Sequence, residues 1–180
     1  MGLDQYLYCN SRKVCEEAQR GEYDADWNVP RGIAVYWRKA NAVHRWFVNN
    51  IQGGEDDCKT YGVSVEDLAR LHDTCKEVLE STRLVDAEIQ NGTTNGKPNI
   101  VKGKQLEDPS KAIELLPTTE GFFFGSQDYD QYYWWDLEHT VEGISKALEN
   151  LVPAGDPMGW RVVHRDEPGW YVNFEYSSSW

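Results

Sequence analysis

The chain has 180 residues, enough for one domain with a full hydrophobic core, and its apolar content of 40% argues against an intrinsically disordered protein. With 30 acidic and 18 basic residues it carries a net charge of −12, which opposes nonspecific binding to bulk nucleic acid. It contains no stretch of about 20 apolar residues, so we expect no membrane span.

The N-terminal sequence and the cysteines indicate the cytoplasm. Residues 1–8 lack the basic and apolar regions of a secretory signal peptide. The four cysteines are then expected to be reduced thiols rather than a disulfide framework. We therefore predict a cytoplasmic protein that does not attach to a membrane.

The hydrophobic pattern predicts the first elements of the chain. Residues 3–8 alternate with period two, which is typical of a strand. Residues 9–32 are polar and predicted as a loop, with a short helix at residues 14–20 as an option. A helix is predicted next from four apolar residues with helical spacing, Tyr36, Ala40, Val43 and Phe47. Asn49, Asn50 and the following glycines are expected to end it.

The second half of the chain predicts further helices and strands. Ser64 is an expected N-cap of a helix that runs to about Ala87. An exposed loop or hairpin is predicted at residues 91–104, followed by a short helix at 109–115 and a buried strand at 121–125. A long helix is then expected to start near residues 128–130 and to end at Pro153, and strands 160–164 and 170–176 are expected to form a hairpin. Residues 1–180 are thus expected to form a single α+β domain. It would combine about three long helices with a mostly antiparallel sheet of four to five strands.

A segment without acidic residues, residues 27–54, is the first candidate site. It interleaves Arg31, Arg38, Lys39, His44 and Arg45 with Tyr36, Trp37, Trp46 and Phe47. Cations beside flat aromatic faces suit an anionic, planar ligand. The candidate ligand-binding residues here are Trp37, Arg38, Asn41, His44 and Arg45. The alternative is that the cations pair with acidic residues elsewhere and the aromatic side chains belong to the core.

Residues 121–136 are the second candidate site. Ser126 and Tyr129 lie between the predicted buried strand and a helix start, where backbone N–H groups can bind an anion. The alternative is that Ser126 or Asp128 only caps the helix. Residues 132–135 are four consecutive aromatic residues, which cannot all face one core, so at least one is expected to be exposed.

The sequence gives little support for a metal, a cofactor or a nucleophile. His72 and Cys75 share a helix face, but no paired metal-binding motif accompanies them. The chain has no G-x-S-x-G, P-loop or dinucleotide-binding motif. We therefore expect no bound metal and no cofactor.

Several segments resemble a family of small proteins encoded by bacteriophages and prophages. The resemblance rests on MGLDQYL at residues 1–7, YWRKANAVHRWFV at 36–48, DDC at 56–58 and LLPTTEGFFFGS at 115–126, and extends to about residue 150. It implies a phage-encoded protein of the host bacterial cytoplasm with a role in the conflict between phage and host. It carries no catalytic assignment.

The leading hypothesis is a non-catalytic binding protein that captures a host factor, either a small anionic, nucleotide-like molecule or a host protein. Arg38, Asn41, His44 and Arg45 would form one wall of its site, and Ser126 with Tyr129 the other. One alternative is an enzyme acting on such an anion, with His44 as acid or base and Asp128 or Asp130 as its partner. Another is an interaction module that forms an oligomer through Trp134, Trp135 or Trp180. A shared pocket between the two candidate segments would favour a ligand.

Overall fold

The main sheet of the computed structural model is antiparallel and has six strands. The structure describes residues 2–11, 32–121, 123–149, 151–153, 160–162 and 171–180. The strands of this sheet are β1 (Asp4–Ser11), β2 (Ile33–Arg38), β3 (Tyr61–Val63), β6 (Leu151–Pro153), β7 (Trp160–Val162) and β8 (Tyr171–Ser179). Five of them follow the order β2-β1-β8-β7-β6, and β3 pairs with the middle of β8. The sheet thus brings both ends of the described chain together, with Asp4 opposite Ser179.

Alternation of side chains gives this sheet one buried face. In β1 and β2, Leu7, Val35 and Trp37 are buried, while the intervening Tyr6 and Tyr36 are partly exposed. In β8, Phe174 and Tyr176 are buried in the same way. Period-two burial follows from the pleat of a strand, so the buried face is set by the sequence pattern.

Four helices, within the described residues, cover the buried face. They are α1 (Asn41–Asn50), α2 (Val65–Ser81), α3 (Ser110–Leu115) and α4 (Gln131–Leu148). Ser64 caps α2 by accepting a hydrogen bond from the backbone N–H of Asp67. Helix α4 packs so closely on β2 that a Cβ atom on Gly143 would lie 2.7 Å from the side chain of Val35. The core lies between these helices and the sheet.

A separate hairpin joins β4 (Leu84–Thr94) to β5 (Lys97–Leu106). Its pairing register shifts between Gln90 and Thr93, which marks a bulge at residues 91–92. Residues 90–100 are all exposed, so this half of the hairpin extends away from the core. Residues 91–104, which were predicted to form either an exposed loop or a hairpin, belong to this hairpin.

The α+β class predicted from the sequence is confirmed. The first strand, the cap at Ser64, the short helix after Pro109 and the pairing of residues 160–161 with 171–172 also agree with the predictions. The optional helix at 14–20 and the turn before residue 170 lie outside the described residues.

The predicted helix starting at Tyr36 is wrong in its first turn. Residues 33–38 form strand β2, and the helix begins at Asn41. The segment from Ile33 to Trp37 is rich in β-branched and aromatic residues, which favour a pleated, half-buried strand. Lys39 then takes a positive φ of 63°, which separates the strand from the helix.

Three other boundaries differ from the predictions. Helix α2 ends at Ser81 instead of about Ala87, because Thr82 is extended and leads into β4. The described part of the predicted strand 121–125 is not a strand, since Phe123 has a φ of 83° and is exposed while Phe124 is buried. Helix α4 ends at Leu148, and residues 151–153 form β6 instead of its last turn.

Candidate ligand-binding cleft

A cleft of about 760 Å³ lies where the two candidate segments meet. Arg38, Lys39 and Asn41 line one side, and the loop from Gly125 to Asp128 lines another. The first turns of α4 and residues 90–92 of the hairpin complete it. The volume falls in the range of small-molecule sites. The cleft therefore joins parts of the chain that are far apart in sequence.

Close contact between Lys39 and Gly125 brings the two sides of the cleft together. Both residues have positive φ angles, 63° at Lys39 and 92° at Gly125. A Cβ atom on Gly125 would lie 3.1 Å from the Cβ of Lys39 and 3.5 Å from its carbonyl oxygen. Only glycine therefore fits both the conformation and the space at position 125.

Asn41 holds the loop in place through its whole side-chain amide. Its Nδ2 donates to the carbonyl oxygens of Phe124 at 3.2 Å and Ser126 at 2.7 Å, and its Oδ1 accepts from the backbone N–H of Thr119 at 3.2 Å. The side chain is buried, with 4% exposure. One turn further along α1, Arg45 Nη1 donates to the carbonyl oxygen of Thr118 at 2.9 Å. Helix α1 thus positions the loop from 118 to 126.

Arg38 and Lys39 give this side of the cleft its positive charge. Arg38 lies at the end of β2 with its side chain 59% exposed, and its Nη1 is 3.8 Å from Asp4 Oδ1. Asp4 also accepts a short hydrogen bond from the hydroxyl of Tyr36. Lys39 forms no ion pair with any residue that the structure describes. Lys39 is exposed, and the exposed ion pair of Arg38 with Asp4 is weak at this distance. Both cations are therefore accessible to an anion.

An exposed aromatic pair stands on α4 at the cleft. Tyr132 and Trp135 are 39% and 50% exposed, and their ring centroids lie 5.5 Å apart in an edge-to-face arrangement. Both residues line the cleft. The expectation that at least one residue of 132–135 is exposed is confirmed. Either ring of the pair can offer a flat face on which a ligand ring stacks.

Asp130 is the N-cap of α4. Its Oδ1 accepts from the backbone N–H groups of Tyr132 at 2.8 Å and Tyr133 at 3.3 Å. Its Oδ2 is buried and has no hydrogen-bond partner among the described residues. Burial raises the pKa of Asp130, while the two N–H groups act in the opposite direction. The cap is therefore Asp130 and not Ser126 or Asp128, the two residues that the sequence suggested.

Asp136 places a second carboxyl group in the same cleft, one and a half turns along α4. Burial raises its pKa to about 7, and the nearby charge of Asp130 adds to the effect. Ser126 lies opposite, with its Oγ donating to Asp128 Oδ2 at 3.0 Å. The cleft thus has a cationic side and an acidic side.

Trp37 and Tyr129, two of the predicted binding residues, lie elsewhere. Trp37 is 2% exposed in the core, and its Nε1 donates to Thr140 Oγ1 at 2.8 Å. The Tyr129 hydroxyl accepts from the backbone N–H of Thr118 at 3.3 Å. Tyr129 also lines a smaller neighbouring cleft of about 490 Å³. Neither lines the larger cleft.

His44 belongs to a buried hydrogen-bond network outside the cleft. It is 1% exposed, with Nδ1 2.8 Å from the Tyr176 hydroxyl and Nε2 2.9 Å from Asp56 Oδ2. The Tyr176 hydroxyl donates to Gln5 Oε1 at 3.1 Å, because Gln5 Nε2 already donates to the carbonyl oxygen of Ala40 at 3.1 Å. The two ring nitrogens of His44 thus connect Tyr176 to Asp56 inside the protein. Burial raises the pKa of Tyr176 well above its usual value, so this hydroxyl keeps its proton.

The cleft also contains residues outside the set predicted for ligand binding. They include Lys39, Asp130, Tyr132, Trp135, Asp136 and the hairpin residues Gln90–Gly92. The position of Asp130 before a helical run and the exposed aromatic residues were visible signals. Nothing in the local sequence of the hairpin indicates that its bulge reaches this cleft.

Comparisons of the chain with protein-family models, with curated proteins and with solved structures found no match. The resemblance to phage proteins therefore stays a prediction. Among the described residues there is no group of three or more His, Cys, Asp or Glu side chains that could hold a metal ion. No helix in the described ranges is both long and apolar enough to cross a membrane.

Proposed function

We propose that the protein binds a small, anionic molecule with a flat ring in this cleft, and that it captures the molecule without converting it. The observation that carries the proposal is that one cleft joins Arg38 and Lys39 to the loop at Ser126 and to the aromatic pair of α4. A nucleotide-like molecule has the matching chemistry, with phosphate at one end and a stacking base at the other.

The two ends of such a ligand fit different sides of the cleft. The planar guanidinium of Arg38 can hold two oxygens of a phosphate or carboxylate, and the ammonium of Lys39 adds a point charge. The ring would stack on Trp135 or Tyr132, both of which are exposed. Asn41 and Arg45 act indirectly in this proposal, because their side chains hold the loop that carries Ser126.

Capture without turnover is supported by the position of His44. This residue is the acid or base that the sequence suggested, and the structure buries it with hydrogen bonds on both ring nitrogens. It does not line the cleft. In the phage setting that the resemblance implies, such a protein would sequester a nucleotide-like molecule of the host cytoplasm.

The proposal is tested by measuring the melting temperature with a panel of nucleotides and cyclic nucleotides. A ligand at 100 times its Kd adds about 2.7 kcal/mol of stability, which raises the melting temperature by several degrees. The double variant Arg38→Ala/Lys39→Ala should lose this shift. Lys76→Ala is the matched control, because Lys76 forms an exposed ion pair with Glu80 on α2 and does not line the cleft. A shift that survives in the double variant contradicts the proposal.

An enzyme acting on a nucleotide-like anion is the second candidate, and the carboxyl group of Asp136 is the observation that favours it. A pKa of about 7 beside the second carboxyl of Asp130 suits a general acid or base. Mass spectrometry of the ligand after long incubation separates the two candidates. Intact ligand supports capture, whereas a product that disappears with Asp136→Asn supports the enzyme.

A further inference from the structure

The unpartnered oxygen of Asp130 is the clearest unexplained feature of the cleft. Asp130 is 2% exposed and lines the cleft, yet its Oδ2 has no hydrogen-bond partner among the described residues. Among all the residues that the structure describes, the other buried polar side-chain atoms without a hydrogen-bond partner belong to Gln52 and Ser178. Neither of these residues lines the cleft.

A buried carboxylate oxygen without a donor is costly. The penalty for an unsatisfied charged group is larger than for a neutral one, and such groups in native proteins usually serve a purpose. The other oxygen, Oδ1, already satisfies the N-cap of α4 through Tyr132 and Tyr133. Capping therefore does not explain why the residue is an aspartate, since a serine would cap as well.

We propose that Asp130 Oδ2 accepts a hydrogen bond from an N–H group on the ring of the bound ligand, and that Asp130 selects donor-bearing heterocycles. This inference rests on the proposed function and names the ligand class of the same cleft. A ring that presents only acceptor nitrogens would place its lone pairs against the carboxylate and would be repelled.

The position of Asp130 relative to the aromatic pair supports this role. Asp130 immediately precedes the first turn of α4, and Tyr132 and Trp135 lie on its first two turns. A ring stacked on Tyr132 or Trp135 would thus share the cleft with the side chain of Asp130. Lys39 and Arg38 line the cleft as well, so one molecule can meet the cations with its anionic group and Asp130 with its ring.

The experiment measures the Kd of four purine ribonucleoside monophosphates by calorimetry. Those of guanine, hypoxanthine and adenine carry N–H donors on the six-membered ring or its substituents, and that of unsubstituted purine carries none. We expect the unsubstituted purine nucleotide to bind at least about tenfold more weakly than the best of the other three, the effect of one hydrogen bond to a charged group. Equal binding of all four overturns the inference.

Asp130→Asn is the decisive variant. Asparagine retains a side-chain oxygen for the N-cap but replaces the free acceptor by an NH₂ donor. The variant should lose the difference between the four nucleotides while circular dichroism shows the same helix content. Asp86→Asn is the matched control, because Asp86 is an exposed carboxylate of β4 that does not line the cleft. A difference that persists in Asp130→Asn overturns the inference.

The two proposals fail in different ways. If the four nucleotides bind and depend on Arg38 and Lys39 but not on their ring donors, the cleft is a binding site and only the role of Asp130 is wrong. If none of the four binds and the wider panel gives no shift either, both proposals are wrong.

Discussion

The side-chain amide of Asn41 donates to the carbonyl oxygen of Ser126 at 2.7 Å, across 85 positions of the chain. This hydrogen bond joins the first residue of α1 to the loop before α4. The same amide also contacts Phe124 and Thr119, so one side chain connects helix α1 to this loop at three points.

Replacing Asn41 with alanine should therefore destabilise the protein and disorder the cleft. The change leaves the N–H of Thr119 and the two carbonyl groups without their partner, and we expect a loss of about 2–3 kcal/mol in the free energy of unfolding. Urea denaturation measures it. Asn50→Ala is the control, because Asn50 is exposed at the end of α1 and its amide donates only to Trp46 of the same helix. Equal losses in both variants would mean that the amide of Asn41 has no special role.

Lys39 offers a separate test of charge and backbone conformation. Lys39→Ala and Lys39→Gly remove the same charge, so both should weaken binding of an anionic ligand equally. At a φ of 63°, glycine avoids the steric penalty of a Cβ atom, and we expect Lys39→Gly to be about 1 kcal/mol more stable than Lys39→Ala. Thermal unfolding and ligand titration of the two variants give both values. A glycine variant that is the less stable of the two would show that the positive φ carries no strain.

The α+β class and several boundaries could be predicted because they depend on local signals. The alternation at residues 3–8 and the cap at Ser64 act within a few residues. The error at Tyr36 has a physical cause. Tyr36, Ala40, Val43 and Phe47 have helical spacing, but the spacing crosses from strand β2 into α1, and burial in the strand follows period two.

The cleft itself could be predicted only in part. The sequence indicated Arg38 and Ser126 through charge and the position of a loop before a helix, and the structure brings both to one cleft. The sequence could not distinguish these cleft residues from His44, because a buried histidine and a ligand-binding histidine look alike in sequence. The bulge near Gly92 reaches the cleft only through the tertiary placement of the hairpin.

The carboxyl of Asp136 should make stability depend on pH. Its pKa of about 7 in the folded protein lies above the ordinary value of about 4, so between these pH values the folded state binds the extra proton. Asp136 therefore disfavours folding least at pH 4, where its carboxyl group is protonated in the folded protein, and the folded state loses this stability as the pH rises to 7. Asp136→Asn does not titrate, and relative to wild type it should gain on the order of 1–3 kcal/mol between pH 4 and pH 8.

Urea denaturation of both proteins at pH 4, 6 and 8 measures this gain. Asp86→Asn controls for the loss of one negative charge, because Asp86 is exposed on the hairpin. A difference between Asp136→Asn and wild type that stays constant over the pH range would contradict the raised pKa of Asp136.

His44 separates a structural role from a catalytic one. Its imidazole connects Asp56 to Tyr176 inside the protein, and His44→Ala removes one buried hydrogen bond from each of these groups and opens a cavity. We expect a loss of about 2–4 kcal/mol in the free energy of unfolding. His72→Ala should cost less than about 1 kcal/mol, because the contacts of His72 with Asp73 and Ser145 are exposed.

At a temperature where His44→Ala remains folded, its affinity for the cleft ligand should equal that of wild type, since His44 does not line the cleft. A folded His44→Ala that no longer binds, or that stops a turnover seen in wild type, would place the functional site at His44 and away from Lys39 and Asp130.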